Sequence, residues 1–350
     1  MNSEQDRNRE RRHAAEIGPE LAGKRLDQAL AKLFGEYSRS RLQAWTKEGR
    51  VLVNGAQLRP RDKVALGDKV ELQALLEDQV ECRPQPIPLE IVFEDEQLLV
   101  INKPADMVVH PAAGNPDGTI QNGLLHHDAS LVELPRAGIV HRLDKDTTGL
   151  MVVAKTQLAY TRLVAALAAR DVKREYRALV VGRLNLGATI EQPIGRHPTQ
   201  RTRMAVNPMG KPAITHYRVL EKFRAHTLLR VNLETGRTHQ IRVHLAHMRH
   251  PIFGDPVYGG RLQVPAGADD GLKAVMRGFR RQALHAKRLG LEHPATGKPM
   301  QWEAPLPDDM AELLEALRLD THGGGSEFDE DFYAAFTAEG CEIDDQDQQD

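Results

Sequence analysis

Apolar positions near the start of the chain recur at spacings that predict two helices and two strands. Leucine and alanine residues within positions 26–33 repeat at helical spacing, and a second helix follows with Leu42 and Trp45 on one face. Residues 50–53 predict a strand that ends in the tight turn Asn54-Gly55, and residues 64–72 predict a turn that runs into another strand. We therefore expect a small α+β domain at residues 21–81.

The pattern changes after residue 81. Three prolines within residues 82–88 cannot lie inside a helix or a central strand, so this segment is expected to link two domains. Beyond it, apolar runs predict strands near residues 89–93, 98–102, 176–181, 214–217 and 228–233, and amphipathic stretches predict helices at 158–169 and 238–248. Because strands and helices do not alternate regularly, residues 89–319 are expected to form an α+β domain with a mixed, largely antiparallel sheet.

One polar turn stands out within this second domain. Residues 138–150 place a carboxylate, Asp144, between the apolar pair Ile139-Val140 and the apolar run at residues 150–154. The first is expected to be a strand, and the second a strand buried on both faces. Charged groups at the rim of a core are often chemically useful, so Asp144 is a candidate catalytic residue. A hairpin with surface ion pairs is the alternative for a single motif of this kind.

Composition excludes several classes of protein. The chain has 350 residues, 41% hydrophobic and 27% charged, which suits two or three globular domains. No apolar run approaches the roughly 20 residues of a membrane-spanning helix, and residues 1–20 lack the apolar segment of a secretory signal. Cys82 and Cys341 lie far apart and form no CxxC pair. We therefore expect a cytoplasmic protein without a disulfide framework.

Charge is distributed unevenly along the chain. Residues 320–350 contain eleven Asp or Glu and no Lys or Arg, so the remaining 319 residues, with 47 basic and 38 acidic side chains, have a net charge of +9. The body formed by these 319 residues, with this excess of positive charge, is suited to binding a polyanion. Residues 1–20 and 320–350 show no periodic apolar pattern and are expected to be disordered. A sharper hypothesis is that the acidic tail competes with RNA for the basic body.

The first domain resembles the S4 RNA-binding domain over residues 22–75. The resemblance rests on the sequence VLVNG at residues 51–55 and GDKV at residues 67–70, after a basic helix pair. Positions 24–69 carry eleven basic and five acidic residues. A module of this kind would contact RNA phosphates and helical shape, whereas the alternative is a solvated charged face. The candidate RNA contacts are Arg25, Arg39, Arg41, Lys47 and Arg50.

Four motifs of the second domain resemble those of the RluA-type pseudouridine synthases. They are NKPADMVVHP at residues 102–111, HRLDKDTTG at 141–149, KREYRALV at 173–180 and GRTHQIRVHL at 236–245. The resemblance implies the pseudouridine synthase fold and an isomerase that acts on RNA. It assigns Asp144 as the catalytic aspartate, Arg242 as the cation that keeps it charged, and Tyr176 as the ring that stacks on uracil and whose hydroxyl could carry a proton. Isomerisation does not change composition, so no cofactor or metal is expected.

Further residues of these motifs are candidate RNA contacts. Resemblance gives Arg142 the role of filling the gap left by a flipped uridine, and a phosphate contact is the alternative. Lys103, Arg237 and His239 are also expected to contact RNA. Asp146 could pair with Asp144 as in a glycosidase, but we expect it to be solvated or to organise the turn.

Histidines at positions 239, 244, 247 and 250 raise the alternative of a metal site. The last three drift around a helix at a spacing of three residues, and no Cys or HExxH pattern accompanies them. Packing or RNA-facing roles are therefore expected, and no metal.

The substrate is also an implication of the resemblance. The S4 module combined with these motifs is similar to family members that modify large-subunit (23S) rRNA, which implies the helix 69 stem-loop as the target. The expected partner is this rRNA or a pre-ribosomal large-subunit particle, and a monomer is expected. One alternative is a family member that acts on other large-subunit uridines. Two others are a noncatalytic rRNA-binding assembly factor, for which Asp144 would be dispensable, and a nucleoside hydrolase, which would release uracil.

Overall fold

The computed structural model of the chain describes residues 10–35, 37, 39–75, 82–112, 114–200 and 203–322. The chain divides into two compact units whose boundary lies between Glu81 and Cys82. Residues 1–9 and 323–350, which belong to the two termini predicted to be disordered, lie outside the described residues. Among the described helices, none is both long enough and apolar enough to cross a membrane.

The first unit packs two amphipathic helices against a three-stranded antiparallel sheet. Leu30 and Trp45 of the helices are buried with Val70 of the sheet, as their apolar spacing predicts. Positive φ angles at Asn54 and Gly55 form the predicted turn after the second strand. The elements are α1 (Leu26–Leu33), α2 (Arg39–Lys47), β1 (Glu10–Glu16), β2 (Val51–Val53) and β3 (Lys69–Leu75), with strand order β1-β3-β2.

Strand β1 corrects the prediction that residues 1–20 are disordered. Its seven residues pair with β3 from Glu10 opposite Leu75 to Glu16 opposite Lys69. The charged side chains of Arg11 and Arg12 are exposed, so the strand shows no apolar periodicity. Backbone hydrogen bonds to β3 hold it in place together with the partly buried Ala15 and the contact of His13 Nε2 with the Tyr37 hydroxyl at 2.7 Å, and hydropathy does not report backbone pairing.

The second unit is built around a nine-stranded mixed sheet, which confirms the predicted fold class. Its strands are β4 (Ile91–Glu94), β5 (Leu98–Lys103), β6 (Thr148–Ala154), β7 (Lys173–Val181), β8 (Ala188–Glu191), β11 (Ile214–Lys222), β12 (His226–Leu233), β13 (Leu284–Glu292) and β14 (Pro299–Glu303); β9 (Ile194–Arg196) and β10 (Met204–Val206) form a separate pair. The strand order is β4-β5-β6-β13-β7-β12-β11-β8, and β14 pairs with β13. All pairs are antiparallel except β6 with β13.

Helices cover both faces of this sheet. They are α3 (Ile120–His127), α4 (Gln157–Ala169), α5 (Gln240–His247), α6 (Asp270–Gly278) and α7 (Asp308–His322), with 3-10 turns at Ala129–Glu133 and Pro135–Gly138. Helix α7 runs past the predicted domain end at residue 319. Its buried face includes Leu317, and Arg224 Nη1 donates to Asp320 Oδ1 at 2.7 Å. The acidic tail therefore begins after His322.

Residues 82–90, which include the proline-rich segment, form no regular structure and pack along α3. The Gln85 amide N–H donates to Asn122 O at 3.1 Å, and Asn122 Nδ2 donates to Arg83 O at 2.9 Å. The segment is thus part of the second unit.

Strand β6 lies inside the sheet, with every residue buried. Met151 and Val153 belong to the larger core cluster on one face, whereas Leu150 and Val152 pack with α4 on the other. This confirms the predicted burial on both faces. The predicted strand at Ile139-Val140 is wrong, because the preceding 3-10 turn has positive φ angles and Ile139 makes only an isolated bridge to Val153.

Candidate active site

A cavity of about 380 Å³ opens in the second unit where a turn, a strand and a helix meet. The turn follows residue 140, the strand is β7, and the helix is α5. Six of the residues predicted for the site line this cavity, namely Arg142, Asp144, Tyr176, Arg237, His239 and Arg242. Its volume is within the range of small-molecule sites, and its walls come from segments far apart in sequence.

The turn that carries Asp144 is anchored to β6. Asp144 O accepts a hydrogen bond from Thr147 N at 3.1 Å, and Val152 N donates to His141 Nε2 at 3.1 Å. Burial, aided by the charge of Arg174, lowers the pKa of His141 to about 3, so its ring is neutral and can accept this bond. At Gly149, a Cβ would lie 2.3 Å from Ala286 O, so the close pairing of β6 with β13 requires glycine there.

Arg242 connects two carboxylates. Its Nη1 donates to Asp144 Oδ2 at 2.9 Å, while its Nε and Nη2 donate to the two oxygens of Asp255 at 2.7 and 2.8 Å. The side chains of Arg242 and Asp255 are 6% and 0% exposed, whereas Asp144 is 19% exposed toward the cavity. The predicted pair of Asp144 and Arg242 is therefore present, and a second acid holds the arginine from behind.

Asp255 was not predicted as a site residue. Burial alone would raise its pKa, but Arg242 and the amides of Tyr258 and Val257 lower it, so Asp255 is charged. Conversely, burial alone would lower the pKa of Arg242, but Asp255 and Asp144 raise it. The only local signal for Asp255 was a lone acid between Gly254 and Pro256, directly after an apolar pair.

Tyr176 lies in the middle of β7, 5% exposed, with its side chain on the cavity wall. Burial raises its pKa; the charge of Arg174 opposes this shift and that of Asp144 adds to it. The hydroxyl therefore keeps its proton at neutral pH. The arrangement presents an aromatic ring in the same cavity as the Asp144 carboxylate.

Helix α5 begins at Gln240, two residues later than predicted. His239 occupies the position before the helix with a φ of 56° and makes no side-chain cap. The buried Gln240 organises the turn instead, because its Oε1 accepts hydrogen bonds from Arg237 N and Thr235 Oγ1 while its Nε2 donates to Ile214 O. Gln240 was not predicted as a site residue, because its only signal was its place within the GRTHQIRVHL motif.

The cavity is strongly cationic. Among the described residues that line it, Asp144 is the only acid, whereas Arg136, Arg142, Arg174, Arg237 and Arg242 all contribute guanidinium groups. Arg142 is exposed, while Arg237 Nε donates to Pro212 O at 3.0 Å. The arginines of such a cavity can bind a polyanion, and the carboxylate of Asp144 then faces the bound molecule.

Lys103 is not placed to contact RNA, which corrects the prediction. Its side chain is buried, and Nζ donates to the carbonyl oxygens of Pro104, Met107 and Lys145 at 2.7, 3.0 and 2.8 Å. Burial lowers its pKa to about 7, against the charges of Asp146 and Asp144. Lys103 ties the segment after β5 to the turn that carries Asp144.

The basic residues predicted for the first unit differ in their surroundings. Arg25 forms a two-point pair with Asp27, and Arg50 Nε lies 3.5 Å from Glu48 Oε2. The guanidinium of Arg41 lies 5.6 Å from the Trp45 ring centre. The remaining two, Arg39 and Lys47, are exposed.

Two of the clustered histidines have packing roles. His244 contacts Thr215 Oγ1 and Gln192 O, both at 2.9 Å, and His250 Nδ1 contacts Val181 O at 2.9 Å. Within the described part of the chain, no three His, Cys, Asp or Glu side chains are grouped so that they could hold a metal ion.

Comparisons with known proteins match both units. Residues 97–247 match the family model of RNA pseudouridylate synthase, and residues 24–70 match that of the S4 domain. The ribosomal large subunit pseudouridine synthase D of Escherichia coli is 57% identical over 307 residues, which cover 87% of this chain and 94% of that protein. The protein of the same description from Vibrio parahaemolyticus is 59% identical over 304 residues, with the same coverage.

A solved structure agrees with these matches. Human RNA pseudouridylate synthase domain containing 4 is similar with a TM-score of 0.52 and 27% sequence identity. The match covers 65% of this chain and 93% of that one.

Proposed function

We propose that this chain, which belongs to the RluA-type family of pseudouridine synthases, isomerises uridines of large-subunit rRNA with Asp144 as its catalytic carboxylate. Membership of the family makes the chain an RNA pseudouridine synthase, an isomerase that carries an S4 domain. The observation that carries the catalytic part of the proposal is the Asp144–Arg242 pair, which faces a cavity that also holds Tyr176.

The chemistry needs few groups. The N1–C1′ bond of uridine breaks, a C5–C1′ bond forms, C5 loses a proton and N1 gains one. A carboxylate near the sugar can attack C1′ or remove the C2′ proton, and Arg242 keeps that carboxylate charged. No electron is transferred, so the residues of the cavity suffice and we propose no cofactor.

Tyr176 would hold the base. Its ring lies on the wall of the cavity, where a uracil that has left the RNA stack can rest against it. Its hydroxyl is protonated at neutral pH, which allows it to donate a hydrogen bond or pass on a proton.

Three features support RNA as the substrate. The cavity combines five arginines with one acid, the first unit contributes further exposed cations such as Arg39 and Lys47, and the named relatives are large-subunit synthases. Within this proposal the target is the helix 69 stem-loop, on rRNA or on a pre-ribosomal particle, and the enzyme works in the cytoplasm, where ribosomes are assembled. The alternative targets are other large-subunit uridines.

One experiment tests the proposal and its alternatives. The wild type, Asp144→Asn and the control Asp146→Asn are incubated with a large-subunit rRNA transcript without added cofactor, and pseudouridines are mapped by chemical tagging. We expect the wild type and Asp146→Asn to modify the helix 69 loop, and Asp144→Asn to lose about 1,000-fold or more in rate. Modification at other uridines only would favour the alternative targets.

Two results would contradict the catalytic role of Asp144. Full activity of Asp144→Asn would leave the residue without a chemical task, and release of free uracil would indicate a hydrolase. If wild-type protein bound rRNA without modifying it in any assembly state, a noncatalytic assembly factor would be the better description.

A further inference from the structure

The carboxylate of Asp144 has a second neighbour besides Arg242. His239 Nε2 lies 3.8 Å from Asp144 Oδ1, on the oxygen that Arg242 does not hold. On the other side of the ring, His239 Nδ1 is 2.9 Å from the hydroxyl of Tyr258. The imidazole thus bridges Tyr258 and the carboxylate.

One tautomer of the imidazole fits the hydrogen bonds of Tyr258. The Tyr258 hydroxyl accepts a hydrogen bond from Met204 N at 3.0 Å, so its own proton is free to be donated to His239 Nδ1. A neutral imidazole that accepts at Nδ1 carries its proton on Nε2. The Nε2–H then faces Asp144, whereas the opposite tautomer would direct a lone pair at a carboxylate.

Backbone geometry directs the ring into the cavity. His239 has a φ of 56°, a left-handed conformation that costs free energy for a residue other than glycine. A side chain at this position often caps a helix, but that of His239 makes no cap to α5 and instead lines the cavity. Strained residues of this kind are concentrated at functional sites.

We propose that His239, held by Tyr258 as the Nε2–H tautomer, is a positioning residue that supplies a second hydrogen bond to Asp144. The inference rests on the proposed function. Arg242 binds Oδ2 and His239 binds Oδ1, so that the plane of the carboxylate is fixed toward the ribose. The 3.8 Å separation closes when substrate fills the cavity, as catalytic hydrogen bonds often tighten only in the complex.

The Nε2–H tautomer that accepts from Tyr258 is a neutral ring, and the surroundings favour the neutral form. The charged and titratable groups that face the ring are Asp144 and Arg142 of the turn, Arg242 of α5, and Asp255 and Tyr258 of the loop after α5, with Arg203 stacked on Tyr258. Burial lowers the pKa of His239; the charge of Asp144 opposes this shift and that of Arg242 adds to it. At acid pH an imidazolium would lose the bond from Tyr258 and neutralise Asp144.

Two substitutions distinguish the roles of the two ring nitrogens of His239. The amide nitrogen of His239→Gln can occupy the place of Nε2 and donate to Asp144, whereas the amide of His239→Asn reaches only the place of Nδ1 and Tyr258. Single-turnover rates and RNA dissociation constants are measured on a helix 69 stem-loop between pH 5 and 8. Thermal unfolding of each variant shows whether it is folded.

We expect His239→Asn to react about tenfold or more slowly than the wild type with an unchanged dissociation constant. His239→Gln should keep most of the rate. Its pH–rate profile should lack the fall at acid pH that protonation of His239 causes in the wild type, a fall expected below the ordinary pKa of histidine because burial lowers the pKa of His239. Tyr258→Phe should fall between them, because the ring then loses the group that fixes its tautomer.

The inference is overturned if both His239 variants slow the reaction equally, or if they weaken RNA binding at an unchanged rate, which would make His239 an RNA contact. The inference is also overturned if a folded His239→Gln enzyme shows the same fall in rate at acid pH as the wild type. Failure of the proposed function is distinguished by the wild type itself, which would then form no pseudouridine.

Discussion

Asp255 holds Arg242 through two parallel hydrogen bonds, from Nε at 2.7 Å and from Nη2 at 2.8 Å, in a pair that is almost entirely buried. The carboxylate of Asp255 also accepts hydrogen bonds from the amides of Val257 and Tyr258 through Oδ1, the oxygen that Arg242 Nη2 binds, so the carboxylate is fixed by four hydrogen bonds. A rigid guanidinium is thereby held against Asp144, the proposed catalytic group.

Substitution Asp255→Asn should therefore damage catalysis more than RNA binding. The amide cannot pair with both nitrogens of Arg242, and loss of one partner from a buried ion pair costs about 3–5 kcal/mol of stability. We expect the catalytic rate to fall about tenfold or more, with a lower Tm and a nearly unchanged RNA dissociation constant. Single-turnover kinetics and thermal unfolding measure these changes.

Glu221→Gln is the matched control, since Glu221 forms a similar two-point pair with Arg318 at 2.9 Å but does not line the cavity. It should reduce Tm at most slightly and leave the rate unchanged. Equal rate losses in both variants would mean that Asp255 acts only through stability.

Arg142→Ala tests the proposed role of Arg142 in filling the gap left by a flipped base. Arg142 is exposed at the cavity, two residues before Asp144. Because unstacking a base costs a few kcal/mol, loss of the group that replaces it should slow modification of a stem-loop by about tenfold or more. Modification of an unstructured RNA with the same sequence should change little.

Arg237→Ala is the comparison variant for Arg142→Ala, because Arg237 lines the same cavity but donates a hydrogen bond to Pro212 O. If either arginine contacts a phosphate, its replacement by alanine should lower the salt dependence of binding to both RNAs. If the two variants show this same behaviour, Arg142 is a phosphate contact and not a gap-filling residue.

Local periodicity was sufficient for elements that bury an apolar face. The helical spacing of residues 26–33 and the apolar run at residues 150–154 predicted α1 and the buried β6. It failed for β1, whose charged residues are held by backbone pairing with β3, and for the Ile139-Val140 pair, which follows left-handed residues. The hydropathy pattern of a sequence indicates which side chains are buried, but it does not indicate backbone pairing or the sign of φ.

Some residues of the site were likewise predictable from the sequence, and others were not. Asp144 and Arg242 are 98 residues apart, and only their family motifs indicated that they meet. Asp255 and Gln240 act by supporting other residues, and the buried Lys103 donates hydrogen bonds to three carbonyls inside the fold. A sequence shows that a lysine is present but does not show that its partners are internal, which is why Lys103 was wrongly predicted to contact RNA.

His226 should make the protein sensitive to acid. It is completely buried in β12, its ring packs edge-on against Phe253, and neither ring nitrogen has a hydrogen-bond partner among the described residues. Burial lowers its pKa to about 4. As pH falls from about 6.5 toward 4, the unfolded chain takes up a proton that the native ring does not, so the free energy of unfolding decreases.

His226→Leu removes this term and should flatten the dependence of unfolding free energy on pH by up to about 1.4 kcal/mol per pH unit in that range. Urea unfolding at pH 4.5–7.5 measures the slope. His126→Gln, which removes an exposed histidine of α3, controls for the loss of a histidine as such. A slope in His226→Leu equal to that of the wild type would show that the native ring does take up a proton.

The acidic tail is expected to compete with RNA. Residues 323–350 carry ten acidic and no basic side chains, while the rest of the chain is cationic. Because α7 continues to His322, a truncation after that residue leaves the helix intact. At about 50 mM salt the truncated protein should bind a nonspecific RNA several-fold more tightly than the full chain, and the difference should shrink near 200 mM salt as charges are screened. A full-length chain whose tail acids are replaced by Asn and Gln separates charge from bulk, since it should bind like the truncated protein. Equal affinity of all three proteins at low salt would rule out the competition.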